Sequence, residues 1–197
     1  MKRPDTYHHG HLRQALLDAA RSLIIDAGVE ALTLREVARR AGVTTGAPYH
    51  HFADKAALVA ALARQSLDEL DHIAATALDG ISDPHEQLRT LGVLYVLYAV
   101  DHPAEFRLMF RPDKGVPFDR PDPAAEPVFR ILMRVVDACR AAAGISDAGR
   151  DAAAITAWSL VHGLAALLID GPLTALAADR ERLHVLVVDI TNRLDVV

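Results

Sequence analysis

Hydrophobic residues recur every three to four positions along most of the chain, the spacing that places them on one face of an α-helix. Leu12, Leu16 and Leu23 belong to the first such stripe, and Gly28 follows it as a stop signal. No run alternates between hydrophobic and polar residues for long enough to form a convincing strand, and no Asn-Gly or Asp-Gly turn is flanked by such runs. The pattern therefore predicts an all-α protein.

The same periodicity sets approximate bounds for the predicted helices. They cover about 12–27, 34–41, 54–78, 86–100, 125–143, 148–169 and 173–195, with a short helix around residues 106–110. Five prolines between positions 112 and 127 predict an exposed loop there.

One predicted helix contains a long uncharged stretch. Residues 152–169 run for 18 positions without Asp, Glu, Lys or Arg, near the lower length limit for a membrane span. The stretch contains Thr156, Ser159 and His162, and aspartates rather than basic residues flank both ends. We therefore expect a buried core helix and no membrane partner.

Composition and charge narrow the class of protein. Hydrophobic residues make up 51% of the chain and charged residues 24%, a balance typical of folded globular proteins. The single cysteine, Cys139, excludes an internal disulfide and a cysteine-rich zinc site. The first residues contain no apolar signal core, so we expect a cytoplasmic protein. Residues 1–55 carry a small positive net charge and the remainder is acidic, so a polyanion would meet the N-terminal part.

The segment 33–55 (TLREVARRAGVTTGAPYHHFADK) has the pattern of a helix-turn-helix. Thr33 and Glu36 have capping-box spacing at the start of a short helix, and Gly42 can close that helix in the left-handed conformation. Thr44 or Thr45 can cap the next helix. Tyr49 and Phe52, three positions apart, are predicted to anchor that second helix.

The polar residues of this segment suit contact with duplex DNA. In a helix-turn-helix, the N-terminal residues of the second helix meet base edges in the major groove. Small residues at 44–47 permit close approach, and threonine offers a hydroxyl and a methyl group. The candidate DNA-binding residues are Arg35, Thr44, Thr45, Gly46, Ala47, Tyr49, His50, His51 and Lys55. From spacing alone, a simple αα-corner in a helical domain is the alternative.

The stretch 8–58 resembles the DNA-binding domain of TetR-family transcriptional regulators. The matching pattern consists of Thr33, Leu34, Val37, Ala38, Ala41, Gly42, Val43, Thr44, Gly46, Tyr49, His51, Phe52, Asp54, Lys55 and Leu58. The resemblance implies that residues 44–51 face the DNA groove and that Tyr49, His50 and Lys55 contact the DNA backbone. Pro48 departs from the pattern, which usually has Leu, Ile or Phe at this position.

The resemblance implies two domains. A three-helix helix-turn-helix domain is expected over 1–55, and a helical effector-binding and dimerisation domain over 56–197. The expected function is a dimeric repressor that binds a pseudo-palindromic operator and is released by a small molecule. A transcriptional activator, or an enzyme or carrier that uses a C-terminal cavity, is the alternative.

Aromatic residues of the C-terminal part share helix faces and are candidates for that effector site. Trp158 and His162 are one turn apart, and Trp158-Ser159-Leu160-Val161-His162-Gly163 resembles a TetR subgroup with a Trp-x-x-x-His-Gly motif. The candidate ligand-binding residues are Tyr95, Tyr98, His102, Phe106, Met109, Phe110, Trp158 and His162. Core packing is the alternative for each.

The last predicted helix is apolar on more than one side, because Val185 and Val188 lie off its main stripe. Such a helix needs two partners, so we expect a four-helix interface between two subunits. The predicted interface residues are Leu183, Leu186, Val187, Ile190 and Leu194. A fully buried helix in a monomer is the alternative.

Catalytic and metal-binding motifs give little support to an enzyme or a metal site. The chain has no Walker loop, GxGxxG, HExxH or GxSxG motif, so we expect no enzyme activity and no cofactor. The run His8-His9-Gly10-His11 is interpreted as a polar entry to the first helix rather than a metal site.

Overall fold

The computed structural model describes residues 9–110, 127–145 and 149–194, and within these ranges the protein is all-α, as predicted. The α-helices are α1 (His9–Ala27), α2 (Leu34–Arg40), α3 (Lys55–Ala77), α4 (Pro84–Asp101), α5 (Pro103–Met109), α6 (Pro127–Ala142), α7 (Arg150–Ile169) and α8 (Arg180–Thr191). Short 3₁₀ helices cover Val29–Ala31, Ala47–His50 and Thr174–Ala178. The predicted proline-rich loop falls outside the described residues except for Pro127.

Side-chain caps set where several helices begin. The Thr33 hydroxyl accepts the backbone N–H of Glu36 at 3.1 Å, which is half of the predicted capping box. The Glu36 carboxylate instead accepts from Arg39, so the reciprocal half does not form. The prediction that the last helix begins near 173 is wrong, because Asp179 has an extended backbone and caps α8 by accepting the N–H of Arg182.

The described chain divides into two compact units, and the first contains Met1–Ser66 with Arg107–Pro117. Helix α1 contacts α2, and α2 contacts the 3₁₀ helix Ala47–His50. The fully buried residues of this unit include Leu16, Leu17, Leu32, Val37, Leu58 and Leu62. Because Leu58 and Leu62 lie in α3, the first unit extends past the predicted boundary at residue 55 and ends inside that helix.

The second unit contains Leu67–Phe106 and Phe118–Val197, with α4 at its centre. Helix α4 contacts α6, α7 and α8. Gly92 permits the close approach of α8, because a Cβ atom there would lie 2.9 Å from Cγ2 of Thr191. One hydrophobic cluster of this unit includes Leu78, Leu88, Val135, Val136, Cys139 and Ala157.

Helix α7 has one buried and one exposed face, and both are apolar. Ala157, Val161 and Leu168 belong to the buried face. Ile155, Leu160 and Leu167 are 52%, 39% and 43% exposed. By length and composition α7 is also the single helix among the described residues that could cross a membrane, a test that core helices of soluble proteins pass too. The predicted core helix is therefore buried on one side only.

Candidate DNA-binding surface and effector cavity

The helix-turn-helix segment of the first unit begins with α2 and a tight turn. Gly42 has a φ of +69°, the left-handed conformation predicted for the residue that closes α2. The N–H of Val43 donates to the carbonyl of Ala38 at 3.0 Å, which satisfies a carbonyl at the helix end. Glycine's tolerance of positive φ therefore fixes where the chain turns away from α2.

The segment after the turn is a single 3₁₀ turn, Ala47–His50, rather than the predicted α-helix. Pro48 lies in its first turn, and its carbonyl accepts the N–H groups of His51 and Phe52 at 2.9 Å. Proline fixes φ near the helical value and has no N–H, so it suits the start of a helix only. The departure from the family pattern at Pro48 thus coincides with a shortened recognition segment.

The anchor of this segment also differs from the prediction. Tyr49 is 60% exposed, so its ring does not hold the segment on the unit. Phe52 is 3% exposed and Pro48 is buried, and these two residues supply the apolar contacts instead. The guanidinium carbon of Arg13 lies 5.3 Å from the centre of the Phe52 ring, a cation–π distance.

The predicted DNA-binding residues are mostly accessible in this unit. Those classed as exposed are Arg35, Thr44, Thr45, Gly46, Tyr49 and His50. Ala47, His51 and Lys55 are half-buried. Lys55 donates from Nζ to the carbonyl of Glu30 at 3.3 Å, so its ammonium group is held beside the start of α3.

Two arginines of α2 are committed to partners inside the first unit. Arg39 donates to Glu36 at 2.9 Å, and this hydrogen bond lowers the pKa of the Glu36 carboxyl. Arg40 pairs with Asp26 at 2.6 Å. Among the described residues, Arg35 is the one arginine of α2 without an ion pair, which leaves its charge available for a phosphate.

The second unit contains a partly open apolar cavity of about 60 Å³ between α3, α4, α6 and α7. Its aliphatic wall includes Leu70, Ala74, Leu88, Leu91, Leu132 and Val161. Its aromatic wall consists of Tyr95, Phe129 and Trp158, and the Phe129 and Trp158 rings meet edge to face at 4.9 Å. The sequence pattern does not predict Phe129 and the aliphatic residues as part of this site, because only the tertiary fold brings them beside Trp158.

A hydrogen-bonded chain joins three of the predicted ligand residues. The indole Nε1–H of Trp158 donates to the Tyr95 hydroxyl oxygen at 3.2 Å. The same oxygen lies 2.8 Å from Nδ1 of His162. We assign the hydroxyl proton to this second bond, since the indole nitrogen can only donate; His162 is then neutral with its proton on Nε2. Burial lowers the pKa of His162 and raises that of Tyr95, in agreement with a neutral pair.

The remaining predicted ligand residues lie in several parts of the structure outside the cavity wall. The Phe106 ring stacks on His162 at 5.5 Å and meets Tyr95 edge to face at 5.4 Å. Tyr98 and His102 contact each other at 4.6 Å and line a separate open groove, not the cavity. Met109 and Phe110 belong to the first unit and do not line the cavity, contrary to expectation.

Burial also divides the predicted dimer residues. Leu183 and Val187 are fully buried within their own chain, so their side chains are core residues and the prediction that they meet a partner is corrected. Leu186, Ile190 and Leu194 are half-buried. The largest exposed apolar residues of the last two helices are instead Ile155, Leu160, Leu167 and Val185. The 3.6-residue periodicity identified the apolar stripe of α8 but could not tell which side faces its own core.

Of the N-terminal histidine run, His8 lies outside the described residues and His11 is exposed. Within the described ranges, no group of three or more His, Cys, Asp or Glu side chains is placed to hold a metal ion.

Comparison with known proteins gives two family matches. Residues 88–190 match the profile described as the tetracyclin repressor-like C-terminal domain. Residues 16–62 match the profile of bacterial regulatory proteins of the tetR family. The first match alone covers more than half of the chain.

Individual relatives agree with these matches. The chain is 38% identical over 79 residues to the HTH-type transcriptional regulator BetI of Rhizobium meliloti (strain 1021) and covers 39% of its length. It is 37% identical over 79 residues to the HTH-type transcriptional repressor KstR2 of Mycobacterium tuberculosis (strain H37Rv) and covers 40% of that protein. These alignments also include 40% of this chain. The chain thus spans about two fifths of the length of these curated relatives.

A solved structure matches over nearly the whole length. A protein of unknown function from Rhodococcus sp. RHA1 superposes with a TM-score of 0.78 and 29% identity, covering 98% of this chain and 97% of that one. The order of helices in both units is therefore an arrangement already found in a solved protein.

Proposed function

Because this chain belongs to the TetR family of bacterial regulatory proteins, we propose that it is a ligand-responsive transcriptional repressor, a cytoplasmic DNA-binding protein rather than an enzyme. The observation that carries the proposal is the exposure of Thr44, Thr45, Tyr49 and His50 on a segment held by the buried Pro48 and Phe52. Polar groups that are accessible on a fixed backbone can contact base edges without the entropic cost of first ordering that backbone.

Threonine and histidine side chains supply the base-reading groups of the proposed surface. The Thr44 and Thr45 hydroxyls can donate or accept, and their methyl groups fit the thymine methyl. Arg35 and Lys55 are proposed to contact phosphates, which position the protein but carry no sequence information. The single 3₁₀ turn after Gly46 presents fewer residues than a full helix would, so base reading is expected to centre on residues 44–50.

The exposed face of α7 is proposed as the contact between two copies of the chain. Small residues recur along its centre at alternating spacings of four and three, namely Ala152, Thr156, Ser159, Gly163 and Ala166. A Cβ atom at Gly163 would meet nothing within 4 Å, so this centre is open. Ile155 lies on one side of the small residues and Leu160 and Leu167 on the other, which lets two helices approach closely between larger apolar contacts.

A second copy fits this face better than another partner does. No Asp, Glu, Lys or Arg lies on α7 between Ala152 and Ile169, so a charged partner would find nothing to pair with. Two-fold symmetry would pair the face with itself, and Val185, which is 57% exposed on α8, is proposed as a second apolar contact of a four-helix interface. The proposed contact uses α7 and α8, with Leu186, Ile190 and Leu194 as half-buried contributors.

The proposed effector site is the cavity beside Trp158, and α3 is the proposed coupling element. Helix α3 is continuous from Lys55 to Ala77, and its residues belong to both compact units. Leu70 and Ala74 of α3 line the cavity. An effector that binds better to the state with low DNA affinity would shift the population toward that state, by no more than its difference in affinity between the two states.

We also propose membership in the subgroup with the Trp-x-x-x-His-Gly motif. Its support is that Trp158 and His162 both bind Tyr95, while Gly163 is exposed on α7. In this proposal Trp158 lines the cavity, His162 binds the Tyr95 hydroxyl behind it, and Gly163 belongs to the subunit contact.

Fluorescence anisotropy with the DNA upstream of the gene that encodes this protein tests the repressor proposal. Tyr49→Ala and His50→Ala are expected to reduce affinity at unchanged protein fold, because both side chains are exposed. Ile25→Ala, also exposed but on α1, is the matched control and should bind as the unmodified protein does. Equal affinities for all four proteins would contradict the proposed surface.

A further inference from the structure

The polar atoms in the wall of the cavity are bound to each other. Among the described residues that line it, the only side-chain polar atoms are the Tyr95 hydroxyl and the Trp158 indole nitrogen, and none of these residues is charged. The indole N–H is directed to Tyr95, and the Tyr95 hydroxyl is directed to His162. A molecule in the cavity therefore meets hydrocarbon together with polar groups that already have partners.

From this arrangement we propose that the cavity selects an uncharged hydrocarbon or aryl group, and that Tyr95 is the residue that sets this specificity. The inference deepens the proposed function, because it names the chemical class of the effector at the proposed site. Tyr95 acts by holding both the indole N–H and the imidazole nitrogen, so neither is offered to a ligand.

Desolvation gives the physical reason for the selection. A ligand hydroxyl or carboxylate that enters this cavity loses its hydrogen bonds to water and gains no protein partner in return. A hydrocarbon ligand loses no hydrogen bonds and gains apolar burial and dispersion contacts. The cavity therefore favours toluene over phenol, and phenol over the charged benzoate.

The size of the cavity requires its wall to move when it fills. About 60 Å³ is well below the volume of roughly 150 Å³ that holds benzene in an engineered cavity. Leu91, Ile131 and Leu132 line the cavity and are only half-buried, so side chains rather than backbone close this part of the wall. Rotamer changes of these residues are the least costly way to admit an aryl ring.

Neighbouring alanines of α3 offer a matched pair of variants that locates the ligand. Ala74 lines the cavity and is 4% exposed, whereas Ala75 is exposed. Ala74→Leu places additional methyl groups in the cavity, and Ala75→Leu adds the same atoms at the surface. Binding that the first change removes and the second leaves intact occurs in the cavity.

The test measures direct binding of toluene, phenol and benzoate to the full chain. NMR titration without DNA monitors the binding. We expect toluene to bind at least about tenfold more tightly than phenol, the ratio expected when one hydroxyl loses its partners. Benzoate should not bind, and Ala74→Leu but not Ala75→Leu should abolish toluene binding. Failure of toluene to bind, tighter binding of phenol or benzoate, or toluene binding that survives Ala74→Leu would overturn the proposal.

Tyr95→Phe tests the role of the tyrosine itself. The change removes the oxygen that accepts the N–H of Trp158, a residue of the cavity wall, so the preference for toluene over phenol should fall about tenfold or more. Trp158→Phe, which frees one acceptor site on the Tyr95 oxygen, should move the preference in the same direction and serves if the first variant does not fold. An unchanged preference in a folded variant would overturn the role of Tyr95.

The cavity inference and the proposed repressor function can fail independently of each other. Toluene is then added to the complex of the protein with its upstream DNA. If toluene binds the cavity with the expected selectivity and leaves DNA affinity unchanged, the cavity inference stands and the effector role fails. If the protein binds no DNA, the repressor proposal fails while the ligand titration still decides the chemistry of the cavity.

Discussion

The hydroxyl oxygen of Tyr95 lies 2.8 Å from Nδ1 of His162, across 67 positions of sequence. This contact joins α4 to α7 and fixes the protonation state of the imidazole, since an unprotonated Nδ1 is needed to accept the hydroxyl proton. The hydrogen bond from Trp158 to the same oxygen makes Tyr95 the central member of the group.

Stability is expected to fall in mildly acidic solution because of His162. Burial lowers the pKa of His162 below its usual value of 6.5, so the unfolded chain binds a proton more readily than the folded one. The stability that neutral His162 contributes is complete above pH 6.5. It is lost as the pH falls through the lowered pKa of His162 in the folded state. Urea unfolding at pH 7.5 and 5.5 measures it, with His162→Gln as the comparison.

The variant keeps every other histidine, so the difference between the pH responses of the two proteins isolates His162. The unmodified protein should lose more unfolding free energy between the two pH values than the variant does. Identical pH responses would show that His162 is equally protonated in the folded and unfolded states.

The anchor of the recognition segment is expected to be Phe52. Phe52→Ala removes a ring that is 3% exposed and should lower the unfolding free energy by about 3–5 kcal/mol. Tyr49→Ala changes a residue that is 60% exposed and should alter stability by no more than about 0.5 kcal/mol. Chemical denaturation of both variants checks this, and a larger loss at Tyr49 would restore the anchor expected from the sequence.

Thr45 and Lys55 are expected to affect DNA binding in different ways. Replacing Thr45 by Ala should change base preference at one position by about 1–3 kcal/mol, because an exposed hydroxyl and methyl are lost. Replacing Lys55 by Ala should weaken all sequences alike and reduce the salt slope by about 1. Binding to a set of singly substituted operators at several salt concentrations distinguishes the two, and an interchange of these effects would reverse the assigned roles.

Self-association is expected to depend on the exposed face of α7. The double change Leu160→Glu with Leu167→Glu places two carboxylates in the proposed contact and should give monomers in light scattering, since burying unpaired charge is costly. Ile25→Glu, at a residue 59% exposed on α1, should leave the dimer intact. A dimer that survives the double change would place the contact elsewhere, with Leu186 and Ile190 the next residues to replace.

Periodicity and local motifs predicted most of the helices and the turn at Gly42, because these features depend on neighbouring residues. Gly42 and the Thr33 cap are determined within a few positions of sequence. The α3 bounds, predicted at about 54–78 and found at Lys55–Ala77, follow equally from a local pattern.

Features that depend on residues distant in sequence could not be predicted from local patterns. Tyr49 and Phe52 share a helical face in sequence, but the single turn imposed after Pro48 sends only Phe52 into the core. The apolar stripe of α8 predicts Leu183 and Val187 at a partner contact, because periodicity does not reveal which neighbour covers a helix face. The sequence pattern indicates Tyr95 and Trp158 as candidates, whereas Phe129 and the aliphatic wall follow only from the packing of four helices.

DNase footprinting of the upstream DNA across a salt series tests most directly whether this protein is a dimeric, sequence-specific DNA-binding regulator. The account predicts protection of a short two-fold symmetric site whose half-sites lie about one helical turn, roughly 34–36 Å, apart. It also predicts that the logarithm of the affinity falls steeply with the logarithm of the salt concentration. A strictly monomeric protein that protects no defined site on this DNA at low salt would contradict the account.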